Sequence, residues 1–221
     1  MWRTLDRDLA RGIAVICLSV AVIGASYGAT AVTSGFPLWV PLATAAVVFA
    51  GSSEFLFVGI IAAGGSPVAA VLAGLLVNAR HVTYGLALSD VIQPGWRRLA
   101  GSHLMNDESV VLALSQTDPA GRRAAYWISG TGLLLCWPAG ALAGALAGGA
   151  LRDPDALGLD AMFPAAILAL ILPALRAKTS RRAAVAGEAI ALAAAPLLPA
   201  GLPELLALGG LVLTVRRRAA A

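Results

Sequence analysis

Three short clusters carry the polar chemistry of this sequence. The first is Gly51-Ser52-Ser53-Glu54. The second runs from Asn78 through Arg80, His81 and Tyr84 to Gly85. The third holds His103, Asn106, Asp107, Glu108 and Ser109. Arg80 brings a planar fork that suits a carboxylate. Ser52 or Ser53 is a candidate cap for a half-helix starting there. Such a helix end turns backbone N–H groups toward an anion, as in many secondary transporters. Tyr84 follows Arg80 by four residues, which places both on one helical face. There it either hydrogen-bonds a substrate or packs. His103 and Asp107 have the same spacing and can meet in the same way. Neighbouring carboxylates such as Asp107 and Glu108 shift each other's titration, and imidazole titrates near neutral pH. These groups therefore suit cation or proton handling. A structural reading stands beside each functional one. Glu54 and Arg80 can be an ion pair locking two helices, His81 a satisfied interior histidine, and Asp107 with Glu108 a solvated helix end. No nucleotide-binding loop, zinc-type histidine pair or nucleophile elbow occurs. No metal or cofactor is therefore expected, and the chain does not read as an enzyme.

The elements that position these clusters follow from where charge is scarce. The 221 residues are 59% hydrophobic and only 13% charged, about half the usual charged share of a soluble domain. From Gly12 to Ser89 only Glu54 and Arg80 are charged, and from Ala124 to Leu151 nothing is. Apolar runs of about 20 residues are membrane spans. The fold class is therefore all-α, a polytopic transmembrane bundle forming one domain over residues 1–221. Helical spans are expected at about 12–33, 38–63, 68–91, 124–151, 161–175, 183–198 and 203–215. Ser34-Gly35-Phe36-Pro37, Gly64-Gly65-Ser66-Pro67 and Gln93-Pro94-Gly95 end the first three. The second and third spans should be interrupted near residues 51–54 and 78–85. A charge at mid-bilayer costs about 2.5–3.5 kcal/mol, so Glu54 and Arg80 need a wet cavity or each other.

The less apolar segment 99–114 either crosses, for eight spans, or is re-entrant, for seven. Basic residues flank the apolar runs and set topology rather than bind nucleic acid, despite the net charge of +4. Arg7, Arg11, Arg122, Arg123, the 176–182 cluster and Arg216 to Arg218 should be cytoplasmic, and the acidic loop 152–160 outside. A crossing 99–114 would put Arg97 and Arg98 on the outer side, against that rule. Gly24 and Gly28, and Gly140, Gly144 and Gly148, recur every fourth residue and predict close helix packing. Cys17 and Cys136 read as small buried hydrophobes without disulfide or metal spacing.

The run Phe49 to Phe55, the pair Arg80-His81 with Tyr84-Gly85, and the run His103 to Ser109 resemble, in order and spacing, the AzlC family. These are the large subunits of branched-chain amino-acid exporters. The resemblance is close over about residues 10–115. It implies a permease of a bacterial inner membrane that exports leucine, isoleucine, valine and methionine-like amino acids. It also implies a small AzlD-type membrane partner. On that footing Gly51, Ser52, Ser53, Glu54, Asn78, Arg80 and Tyr84 bind the substrate. Arg80 and N–H groups near Ser52 and Ser53 take its carboxylate. Glu54, Tyr84 or a backbone carbonyl faces its ammonium. His81, His103, Asp107 and Glu108 are the candidates for coupled proton movement. Many members carry Gln at the position of Glu54, which implies hydrogen bonding there rather than an obligatory charge. A channel or transporter for another small solute, and a non-transporting assembly subunit, are the alternatives.

Overall fold

The computed structural model describes residues 7–92, 94–150, 168, 172, 174–198 and 202–211. The loop 152–160, most of the expected span 161–175, and Arg216 to Arg218 lie outside the described residues. Among those described, all regular structure is helical: α1 (Arg7–Thr33), α2 (Trp39–Val47), α3 (Gly51–Ala62), α4 (Pro67–Asn78), α5 (Arg80–Ala87), α6 (Trp96–His103), α7 (Asp107–Leu114) and α8 (Pro119–Ala150). Toward the C-terminus, α9 (Lys178–Ala194) packs on a 3-10 turn, Ala207–Leu211, that follows the short α10 (Leu202–Leu206).

Helices α1 and α8 are long and apolar enough to cross a membrane. At a rise of 1.5 Å per residue they measure about 40 and 48 Å. They lie side by side and parallel, with the glycine stripes between them. Gly24 meets Trp137, Gly140 meets Ala21, Gly144 meets Ala25 and Gly148 meets Ala29. A Cβ added to Gly24 would stand 2.7 Å from the Trp137 carbonyl oxygen, so nothing larger than hydrogen fits. The packing expected from the four-residue glycine repeat is therefore present. Cys17 and Cys136 are half-buried and unbridged.

The segment expected as one span from about Leu38 to Ala63 is two helices that double back. Tyr27 of α1 hydrogen-bonds Thr44 of α2 at 2.6 Å and packs its ring on Phe55 of α3 at 5.3 Å. One residue thus touches both arms at one height, and the ring of Phe36, before α2, lies tilted 6.1 Å from that of Phe57 of α3. The chain turns at Val48-Phe49-Ala50, where Phe49 takes a left-handed φ of 51°. Helices α2 and α3 therefore form a re-entrant hairpin. Hydropathy cannot separate such a hairpin from a span, because both arms are apolar.

Helices α4 and α5 make a through-going but broken helix. Ser66 caps α4 by accepting the Ala69 N–H at 3.1 Å, and Pro67 opens it. Helix α4 runs back along α3, with Ile60 against Ala70 and Ala73. The interruption falls at Ala79, within the predicted 78–85. Helix α5 then reaches the end where α8 starts, since Arg122 pairs with Asp90 at 3.0 Å.

Helices α6 and α7 return to that same end. Tyr126 of α8 touches both arms: its hydroxyl donates to the Gly101 carbonyl at 2.5 Å, and its ring packs with Val110 and Ala113. Residues 96–114 thus double back as a second helical hairpin rather than run on as one helix. Arg97 and Arg98 lie at the same end as Arg7, Arg11, Arg122 and Arg123; Arg80 alone among the arginines of α1 to α8 stands away from it.

Candidate functional site

The two hairpins enter from opposite ends and their tips meet beside the break in α4/α5. His103 Nε2 lies 3.0 Å from the Ala46 carbonyl, and its ring lies 5.9 Å from that of Phe49. Each tip opens a helix. Ala50 precedes α3, and Asn106 caps α7 by accepting the Ser109 N–H at 2.8 Å, while Ser109 Oγ accepts the Asn106 N–H. Helix α5 also begins here. The N-termini of α3 and α7 therefore bring partial positive charge to one place.

Arg80 occupies the junction. Its Nη2 donates to Ser52 Oγ at 2.7 Å and pairs with Asp107 Oδ2 at 2.9 Å. Asp107 Oδ1 also accepts from the Tyr84 hydroxyl. The shared face expected for Arg80 and Tyr84 is thus used to hold one carboxylate. Arg80 Nε is buried without a hydrogen-bond partner.

A cavity of about 330 Å³ adjoins this cluster. Gly51, Ser52, Arg80, His81, Asn106, Asp107 and Glu108 form its polar side. Val20, Ile23, Phe49, Phe55, Leu133 and Trp137 form its apolar side. The Glu108 carboxylate lines this cavity and takes a hydrogen bond from its own backbone N–H. A second cavity lies across His81 and Ala50, which line both; its walls include Asn78, Ser102 and His103.

Several expected residues stand elsewhere. Glu54 is 2% exposed and lines neither cavity. It makes no pair with Arg80. Its Oε1 accepts the Ala50 N–H at 2.8 Å, and Trp137 Nε1 donates to both oxygens at 3.2 Å. Neither Ser52 nor Ser53 is the N-cap of α3, because the helix starts one residue earlier, at Gly51. Ser53 is buried, donates to the Ala50 carbonyl and accepts from Asn78 Nδ2 at 3.1 Å. His103 and Asp107 do not meet, because the second hairpin turns between them. His81 rests its Nδ1 2.9 Å from the Asn78 carbonyl.

Sequence reasoning missed Trp137. It forms one wall of the cavity, stacks on Tyr27 at 5.6 Å and binds Glu54. One signal for it exists: membrane tryptophans favour the interfaces, and Trp137 stands in the middle of a charge-free run.

Membrane-length helices around a polar junction of broken helices have the architecture of a membrane transport protein. The comparisons agree and give the family. The sequence model described as "AzlC protein" matches residues 15–151. The chain belongs to the AzlC family, and the match reaches beyond residue 115 through α8. It is 28% identical to the branched-chain amino acid transport protein AzlC of Bacillus subtilis, covering 89% of this chain and 79% of that one. It is 27% identical to an uncharacterized membrane protein of Helicobacter pylori, covering 80% and 78%. A membrane protein of Haemophilus influenzae matches at 33% identity over 30% of this chain and 27% of its own. No solved structure matches.

Proposed function

We propose that this chain is the permease subunit of a secondary transporter that exports branched-chain and related apolar amino acids. It works with a small AzlD-type membrane partner in a bacterial inner membrane. The observation that carries this reading is the two-sided cavity: a guanidinium cluster on one wall and an apolar pocket on the other. A leucine or valine has that same division. Its carboxylate goes to Arg80 and the α3 start, its ammonium to Glu108, and its side chain against Phe55, Leu133 and Trp137. This moves the ammonium contact from Glu54, which is sealed away, to a carboxylate that lines the cavity.

In the bilayer α1, the broken helix α4/α5 and α8 cross, and the hairpins enter halfway. Large apolar side chains such as Val15, Leu18, Leu135 and Leu146 are more than half exposed and face lipid. The basic end is cytoplasmic. Alternating access moves the hairpin tips about the α4/α5 break without ATP. His81, with Asp107 and Glu108, moves coupled protons; His103 serves the second cavity. The test is export of labelled leucine or valine from cells expressing the chain with its partner. Export should fall to background in Arg80→Ala. Undiminished flux in that variant refutes the binding role. Flux of other solutes but not of these amino acids favours the alternative substrate reading.

A further inference from the structure

The following rests on the amino-acid reading above. A guanidinium offers a carboxylate two forks: Nε with Nη2 along its side, and Nη1 with Nη2 at its end. Both forks need a proton of Nη2. In Arg80, Nη2 donates to Ser52 Oγ at 2.7 Å and is ion-paired with Asp107 Oδ2 at 2.9 Å. Ser52 belongs to the tip of the first hairpin and Asp107 to the tip of the second. One nitrogen therefore staples two hairpins that enter from opposite ends. Nε, the other half of the side fork, is buried and has no partner.

A second carboxylate reaches either fork only by displacing one of these two partners of Nη2. Like-charge repulsion sets it against Asp107 rather than against the neutral serine. We propose that the substrate's carboxylate replaces Asp107 on Arg80, binding side-on through Nε and Nη2, and that this exchange removes the Arg80 link between the two hairpin tips. The substrate satisfies the buried Nε that Asp107 leaves unpaired. The Tyr84 hydroxyl keeps hold of Asp107 Oδ1, so the displaced carboxylate stays beside the cavity and can return when substrate departs. Loading and loss of the Arg80 link thus become one event, and the trigger is the carboxylate alone.

The experiment is equilibrium binding of radiolabelled leucine and of 4-methylpentanoate, its analogue without the ammonium, to purified full-length protein. The variants are Asp107→Asn and Tyr84→Phe. Asp107→Asn removes the competing charge and should tighten 4-methylpentanoate binding at least tenfold over wild type. Tyr84→Phe loosens Asp107 and should tighten it two- to threefold. If wild type binds leucine but neither variant tightens the carboxylate probe, the exchange is wrong and the amino-acid reading stands. If no variant and no wild type binds leucine, the amino-acid reading falls and the exchange falls with it.

Discussion

Glu54 makes a sharp case for separating charge from hydrogen bonding. Its carboxylate holds the first hairpin's tip in shape, since Oε1 accepts the N–H of Ala50, next to the left-handed Phe49. Trp137 Nε1 fastens the same carboxylate to α8. Glu54→Leu fills the space but leaves both donors buried without a partner. Each unpaired buried donor costs about 1–3 kcal/mol, so the variant should lose about 4 kcal/mol in all. Glu54→Gln can place its amide oxygen where Oε1 stands and accept from both donors. It gives up only the charge-assisted part of these bonds, about 1 kcal/mol. Thermal unfolding of the purified protein in detergent reads the difference. With 2–4 °C per kcal/mol for a chain of this length, Glu54→Leu should unfold roughly 12 °C lower and Glu54→Gln no more than roughly 4 °C lower. Leucine export should survive in Glu54→Gln. If Glu54→Gln falls as far as Glu54→Leu, the charge itself is required and the hydrogen-bonding argument is wrong.

Other positions give contrasting outcomes. Gly144→Val drives a side chain into the backbone of Ala25 and should abolish accumulation of folded protein in membranes, whereas Gly12→Val, which meets nothing within 4 Å, should accumulate normally. Trp137→Phe keeps an aromatic cavity wall but removes a donor to a buried carboxylate, so unfolding should come early by about 1.5–3 kcal/mol while leucine affinity changes less than about fivefold. Asp90→Asn breaks an ion pair whose aspartate is 49% exposed, and should cost under about 1 kcal/mol, less at high salt, in a denaturation series.

Much of the site was legible because charge inside a bilayer is costly, and the sequence spends it in few places. Arg80 stands out for that reason, and so do Ser52 and Asp107 through their clusters. The glycine stripes were legible because a four-residue repeat admits one geometry on a helix. The path of the chain was not. Leu38 to Ala63 is apolar on both sides of its Ser52-Ser53-Glu54 cluster, and hydropathy counts lipid-facing and protein-facing residues alike. That the chain doubles back at Phe49 is decided by Tyr27, which accepts both arms. Residues 96–114 double back for a matching reason, with Tyr126 in that role and the Asn106–Ser109 capping box starting a new helix. Glu54 was misplaced because a mid-span carboxylate invites a charged partner, whereas a tryptophan N–H and a backbone N–H satisfy it here. Neither donor is visible as a charge in the sequence.

The central claim is that Arg80, at the junction of the two hairpin tips, is the carboxylate receptor of an amino-acid site. Equilibrium binding of radiolabelled leucine to purified wild-type and Arg80→Ala protein tests it most directly. Two charge-assisted hydrogen bonds at about 1.5 kcal/mol each predict a loss near 150-fold. Equal leucine affinity in the two proteins, with Arg80→Ala shown to be folded, would contradict the account.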